Sequence, residues 1–233
     1  ETQTGETRGD KLVGNVYGEL DIIEGLKFRT SLGIDMAYVL DDSYRPLYYL
    51  NGAQLNVDKT SVSKNINRYF TWQWENTLAY NKQIDDHNFS ALVGMTASKF
   101  NFENLSGFNA KVPITDPNHV YLNMATDTAW TAGGGAAHSS LLSNFARVAY
   151  DYKNKYSFTG IIRRDGSSKF GSNKRYGIFP SVGVSWLLSD ENFFPKIKEI
   201  NFLKLRTSWG INGNQEIGNY QFISVMDKSR GYI

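Results

Sequence analysis

The chain has no cysteine, which excludes both a disulfide framework and a thiolate metal site. Proline is scarce, at 5 of 233 residues, which argues against a disordered or linker-like chain. No apolar run reaches the roughly 18 residues that a membrane helix needs. The N-terminal stretch, Glu1 to Asp10, has neither a basic start nor an apolar core, so it lacks the shape of a signal peptide. It is read as the start of a cytoplasmic protein or as an internal portion of a longer one. Lys+Arg 25 against Asp+Glu 23 leaves a formal net charge of +2 with both signs scattered. No basic stripe forms, so no nucleic-acid partner is expected.

Histidine is also rare. His87, His119 and His138 are far apart, are read as lying in turns or loops, and lack zinc-ligand spacing. No nucleophile elbow, Walker A loop or dinucleotide fingerprint occurs. The glycine triplet at 133–135 is not followed by the further glycine that a dinucleotide loop needs. An enzyme is therefore not expected, and no cofactor or metal is assigned.

What is present is glycine, at 21 residues, and 14% aromatics, arranged with period two. The clearest case is Leu26 to Val39. One row there reads Leu26, Phe28, Thr30, Leu32, Ile34, Met36, Tyr38; the other reads Lys27, Arg29, Ser31, Gly33, Asp35, Ala37, Val39. A second runs from Phe70 to Asn81, with Trp72, Trp74, Leu78 and Tyr80 opposite Gln73, Glu75 and Thr77. From Phe70 to Tyr80 such a segment extends roughly 33 Å at about 3.3 Å per residue. Tilted by about 45°, it covers roughly 24 Å, near the apolar height of about 25 Å in outer-membrane barrels. The mean hydropathy of −0.41 does not oppose this, because a lipid-facing row is averaged against its wet neighbour.

Further strands are expected at 15–23, 88–100, 141–152, 156–164, 178–189, 201–211 and 220–226. Their links alternate in length. Glu24-Gly25, 84–86 and Lys153-Asn154 are short, whereas 41–68, 101–140 and 165–177 are long and 190–200 is intermediate, with a helical turn expected at Asn192 to Pro195. This rhythm predicts an antiparallel up-and-down meander. Trp130 to Ser140 reads as a flexible segment. Pro180 falls within an expected strand, where its missing donor predicts a strand start or a bulge.

The stretch "RRDGSSKFG" (163–171), then "RYGIFPSVGVSW" (175–186) and "LKLRTSWGINGNQEIGNY" (203–220) resembles successive barrel motifs of the SusC/RagA family of TonB-dependent outer-membrane transporters. "GELDIIEGLKFRTSLGID" (18–35) and "LLSNFARVAYDYKNKYSFTG" (141–160) are similar to earlier hairpins of the same barrels, in the same order. The resemblance implies an all-β fold, an antiparallel transmembrane β-barrel of 22 strands of which about 8–9 are present here, without the plug. Residues 1–13 are read as a lead-in and 14–233 as barrel. It also implies the outer membrane of a Gram-negative bacterium, a SusD-like surface lipoprotein, the TonB complex acting through the plug region, outer-membrane lipid, and an oligosaccharide or peptide substrate.

On that reading Arg163, Arg164, Asp165, Gly166, Ser167, Ser168, Phe170 and Gly171 are family-motif structural residues. The charges are expected to emerge above the bilayer, and Asp165-Gly166 to supply turn chemistry. Lys27, Arg29, Asp35, Glu75, Arg147, Lys204 and Arg206 are expected to face the lumen, by plug contact, mutual pairing or solvation. Loop aromatics Tyr44, Tyr48, Tyr49, Tyr121 and Trp130 are candidates for stacking on ligand, with self-packing or contact with the lid protein as the competing reading. Trp72, Trp74, Tyr80, Tyr150, Tyr152 and Trp186 are expected to form interface girdles or face lipid. Two alternatives share parts of this pattern: a siderophore or cobalamin receptor barrel, and a soluble β-sandwich or adhesin module.

Overall fold

The structure is a computed structural model that describes residues 4–113, 116, 119–128, 130–195, 200–219 and 221. Its ten strands are β1 (Thr4–Ile23), β2 (Leu26–Arg45), β3 (Tyr48–Asn51), β4 (Gln54–Asn56), β5 (Ser61–Ile84), β6 (His87–Ala110), β7 (Thr131–Tyr152), β8 (Tyr156–Ser167), β9 (Tyr176–Leu187) and β10 (Lys204–Gly210). Eight form one sheet in the order β1-β2-β5-β6-β7-β8-β9-β10, and β3 pairs only with β4. With the β3–β4 hairpin set aside, each strand of the large sheet neighbours the next one along the chain, as a meander requires. The strand expected at 220–226 lies, apart from Gln221, outside the described residues.

The short turns are built from left-handed residues: Gly25 at φ 82°, Asp85 at 49°, and Lys153 and Asn154 at 53° and 57°. Such conformations match the twist of tight hairpins. Gly25 is further constrained because a Cβ there would stand 2.3 Å from the carbonyl oxygen of Asn81.

Five strands are longer than their alternation suggests. β1 starts at Thr4, β2 continues to Arg45, β5 spans 61–84 and β6 spans 87–110, so much of the expected loops 41–68 and 101–140 is strand. The Gly-rich segment after Trp130 is not a flexible loop but the first half of β7. Broken alternation hid these extensions: their few large apolar residues, such as Phe102, Leu105 and Phe108 of β6, fall on both rows, and the β7 extension is mostly glycine and alanine. His87 and His138 consequently lie on β6 and β7 instead of in turns. The link after β9 forms a 3₁₀ turn at Leu188–Asp190, and the turn expected at Asn192 to Pro195 follows it, closed by Phe194 N donating to Glu191 O at 3.1 Å.

The chain divides into two compact units. The first comprises Glu1–Gly14, Ile34–Trp72 and Phe100–His138, and the second Asn15–Gly33, Gln73–Lys99 and Ser139–Ile233. In the first, Tyr44, Val62, Val112 and Val120 are buried together, with Leu122, Met124 and Ala125 against them. This is the only buried apolar cluster among the described residues, and the loops supply most of it. Val112 N donates to Thr60 Oγ1 at 2.7 Å, and Thr60 Oγ1 donates to Val112 O at 3.0 Å. Asp127 meets Lys59 at 3.4 Å and Lys111 at 3.7 Å, closing the same loops from the side.

The sheet has no comparable core. Leu32 is 46% exposed, Trp74 44% and Val182 38%, as are other members of the apolar row. A β-sandwich would cover these residues with a second sheet, so their exposure argues against the soluble sandwich reading.

The motif hairpin differs from its expected form. Asp165 and Gly166 do not form the turn: they lie in β8, paired with Gly177 and Tyr176. The reversal is the segment 168–175, which contains a 3₁₀ turn at Ser172–Lys174. Gly166 has no positive φ; its bareness serves packing. A Cβ at Gly166 would stand 2.3 Å from the ring of Tyr176, and the Arg164 guanidinium lies 4.0 Å from the centre of that ring. Phe179 has the same relation to Gly177 and Gly213, whose Cβ positions fall 2.5 and 2.3 Å from its ring.

Pro180 is neither a strand start nor a bulge. It pairs with Ile162 in unbroken β8–β9 register, and its carbonyl accepts from Ile211 N at 3.0 Å. Its nitrogen therefore points toward β10 one rung beyond Gly210↔Ser181, the last pair of that ladder. The missing donor costs no interior rung.

Gly166→Ala should destabilise the intact protein by about 1–3 kcal/mol, the usual cost of overpacking. Pairing it with Tyr176→Ala should recover part of that loss. Strictly additive single-mutant effects in denaturant titrations would remove this account of the motif glycine.

Candidate functional site: the polar face and the two rims

Side-chain partners fix which row is which. On β1 and β2, Lys27 meets Glu19 at 3.6 Å and Asp21 at 3.7 Å, Arg29 meets Glu19 at 3.5 Å, and Asn15 bonds Ser31. Asp35, in the first unit, pairs with Lys11 at 3.2 Å. Glu75 on β5 accepts from Thr96 on β6 at 3.3 Å. A Cβ on Gly94, two residues before Thr96, would meet the Phe145 ring of β7 at 2.4 Å. Phe145, Arg147 and Asp151 therefore continue this row, and Asp151 accepts from Ser157 of β8 at 2.5 Å. The registers Ser157↔Ser185 and Ser185↔Arg206 carry it through β9 to β10.

Six of the charged residues selected from sequence, Lys27, Arg29, Glu75, Arg147, Lys204 and Arg206, thus occupy one row of the second unit's strands. Asp35 holds the matching position further along β2. Two pairing modes coexist among them. Lys27, Arg29 and Asp35 are held by partners on β1, in exposed pairs that each contribute only about 0–1 kcal/mol. Arg147, Lys204 and Arg206 have no carboxylate within ion-pair distance among the described residues.

Near the long-loop end of the same row, Arg163 Nε donates to Asp165 Oδ1 and Oδ2 at 2.7 and 2.9 Å, and its Nη2 donates to Ser143 Oγ at 3.0 Å. Ser143 is fully buried and Ser167 nearly so. Ser168 exchanges bonds with the backbone of Ser140: its N–H donates to Ser140 O at 2.9 Å, and its Oγ accepts from Ser140 N at 2.8 Å. The motif residues thereby form the wall of a cavity of about 340 Å³, lined by Arg163, Asp165, Ser167, Phe170, Lys174, Arg175 and Phe179 among others. Gly171 precedes the 3₁₀ turn, and its carbonyl accepts from Lys174 N at 3.0 Å.

The loop aromatics separate into three environments. Tyr44 is 4% exposed and belongs to the loop core. It also edges a second cleft of about 340 Å³, together with Tyr121, Arg8, Asp42 and Lys64. There Lys64 lies 2.9 Å from Asp42 Oδ1 and 5.7 Å from the Tyr121 ring centre. Tyr48 and Tyr49 ride on the β3–β4 hairpin, where Arg45 Nη2 donates to Tyr48 Oη at 3.2 Å. Asn51 Oδ1 caps the hairpin tip by accepting from the Ala53 and Gln54 amides. Trp130 is 65% exposed and joins neither group. Tyr44 and Tyr121 are thus the one pair of these candidates brought to a common cleft.

The opposite, apolar row ends at the short-turn rim in a chain of rings. His87 stacks with Phe89, Tyr150 and Tyr152; Tyr152 continues to Tyr156, then Trp186, and Phe193 meets Trp186 edge-on at 6.1 Å. Tyr150, Tyr152 and Trp186 of the girdle candidates meet in this chain. Trp74 lies apart on β5 and donates to Thr30 Oγ1 at 3.1 Å.

Glu191, which sequence reasoning overlooked because a single loop carboxylate carries no motif, fastens the following link to this rim. Its Oε1 accepts from Tyr156 Oη at 2.5 Å and from Trp186 Nε1 at 3.0 Å, and Lys155 Nζ donates to Asp190 O. The Tyr156 bond, then the Trp186 bond, hold the Glu191 carboxyl below its ordinary pKa. A depressed carboxylate pKa stabilises the folded state above the unfolded-state pKa, and that contribution fades as pH falls through the depressed value. Acidification through and below the ordinary carboxylate range should therefore accelerate amide exchange in 188–195. In Glu191→Gln the acid-dependent component should vanish; its persistence would exclude the clamp.

No family model matches the chain. It is 34% identical over 210 residues to TonB-dependent receptor P39 of Formosa agariphila, an alignment that covers 90% of this chain and 20% of that protein. It is 33% identical over 167 residues to TonB-dependent receptor SusC of Bacteroides thetaiotaomicron, covering 66% of this chain and 16% of that one. The chain thus spans about a fifth of the length of the curated relatives it matches. The solved structure of the RagAB peptide transporter superposes with a TM-score of 0.82 over 94% of this chain and 24% of the other, at 23% identity. At that identity the likeness establishes the fold: an antiparallel stretch of transmembrane β-barrel. With the ordered motifs, the alternating rows and these relatives taken together, the chain belongs to the SusC/RagA family of TonB-dependent receptors, of whose barrel wall it represents a part.

Proposed function

We propose that the protein containing this chain imports nutrients across the outer membrane of a Gram-negative bacterium. The eight-stranded meander forms part of the channel wall, and the substrate is an oligosaccharide or a peptide. The observation that carries this reading is the exposed apolar row, repeated on successive strands and ending in aromatic rings, opposite a row of charged and polar side chains. Lipid accounts for the first row. A water-filled lumen or the plug accounts for the second, where Arg147, Lys204 and Arg206 are available to plug carboxylates or to solvent.

The cleft of the first unit, the motif cavity of the second and the long hairpins are the surfaces that would receive substrate or a SusD-like lipoprotein. The SusC name among the relatives and the RagAB transporter among the structural neighbours support that pairing. Coupling to the TonB complex would run through a plug, to which this stretch contributes only contacting wall. The siderophore or cobalamin alternative shares the fold, but no feature of the chain favours it.

Two experiments on the full-length receptor test the reading. Leu32→Arg places a cation in the lipid-facing row, at a cost of about 2–4 kcal/mol at the bilayer midplane, whereas Ser31→Arg stays on the wet row. Heat-modifiability gels should show impaired barrel assembly for the first alone; equal yields would refute the facing assignment. Deleting the receptor gene should abolish TonB-dependent growth on the cognate glycan or peptide. Tyr121→Ala should reduce uptake roughly tenfold with assembly intact, as expected for a lost stacking contact with lid or ligand. Unchanged uptake would remove Tyr121 from the substrate route.

A further inference from the structure

Adjacent arginines of the motif point to opposite faces of β8, and only one of them is partnered by a carboxylate. Arg163 is held on the polar row by Asp165 and Ser143. Arg164 lies on the apolar row: the registers Asn144↔Arg164 and Arg164↔Ile178 align it with Tyr150, Tyr156, Phe158, Val184 and Trp186 by alternation. Its guanidinium rests on the Tyr176 ring at 4.0 Å, and it is exposed, with no carboxylate within ion-pair distance among the described residues.

The position is built. Gly166 leaves room for the Tyr176 ring against the strand, Tyr176 supports the guanidinium, and the Arg164 side chain has no hydrogen-bond partner among the described residues. Stacking of this kind restricts the side chain while leaving its in-plane N–H groups able to bind an anion.

Height selects the anion. Arg164 is eight residues above Tyr156 on β8, roughly 26 Å along the strand and about 19 Å along the membrane normal at a 45° tilt. Measured from the aromatic rim, that is the upper part of an apolar band of about 25 Å, and the arginine side chain reaches further up to head-group level. An unpaired arginine facing lipid is costly at the midplane and near neutral at the interface.

We infer that Arg164, stacked on Tyr176 beside Asn144, binds a phosphate of an outer-leaflet lipid, fixing one phosphorylated glycolipid against the barrel at the motif hairpin. Planar N–H pairs match phosphate oxygens bidentately. This inference rests on the outer-membrane reading above.

The test uses the full-length receptor in nanodiscs of phosphatidylcholine doped with either bisphosphorylated lipid A or its dephosphorylated form, with bound lipid counted by native mass spectrometry. Wild type should retain the phosphorylated lipid preferentially. Arg164→Gln should lose about tenfold of that preference, one charge-assisted contact's worth. Arg164→Lys should fall between them, and millimolar inorganic phosphate should not displace the lipid. Equal retention by wild type and Arg164→Gln, no distinction between the two lipids, or displacement by free phosphate would each overturn the proposal. Failure of wild type to enter nanodiscs as a heat-modifiable barrel would instead refute the membrane reading beneath it.

Discussion

The structure depends on backbone hydrogen bonding. In hydrocarbon, every strand N–H and C=O must be satisfied by a neighbouring strand, because no water is available to substitute. A meander satisfies that demand with each strand bonded to its neighbours in the sheet, and the pleat divides the side chains between an apolar and a polar row. Ordinary hydrophobic burial has little part in it. The one buried apolar cluster among the described residues, around Tyr44 and Val62, belongs to loop-supported structure, where water is the solvent and a core is needed in the usual way.

This division explains what was legible in the sequence. Between Leu26 and Val39 one row is apolar and the next polar, so period two is visible and the strand could be read directly. Beyond Val39, and before Phe70, polar residues enter both rows and the alternation fades, although the ladder continues. Strand there is maintained by backbone pairing that leaves no compositional trace. The same holds for Gly133 to Gly135 in β7, where glycine suggested looseness and the sheet imposed extension.

The site was legible to a different degree. Charge on the polar row follows from alternation alone, so Arg147 and Arg206 could be placed on one row without coordinates. Which of those charges are paired could not, since Glu19 lies on a strand whose register only the fold reveals. The motif hairpin shows the sharper limit. Asp-Gly is the commonest signature of a tight turn, yet at 165–166 a cross-strand ring governs: Tyr176 requires a bare α-carbon opposite it. Glycine selected for closeness and glycine selected for flexibility are identical in a sequence. Glu191 marks another boundary, because a lone loop carboxylate acquires meaning only when Tyr156 and Trp186 present donors to the same oxygen.

Pro180 carries a consequence for assembly. Annealing of β10 onto β9 can proceed from Lys204↔Leu187 as far as Gly210↔Ser181, where the next rung offers an acceptor without a donor. The proline thus acts as a stop on the zipper, setting the length of the last ladder by covalent chemistry. The chain beyond it is released from the sheet at a fixed point, in position for Gly213 to pack against Phe179 and join the lining of the motif cavity.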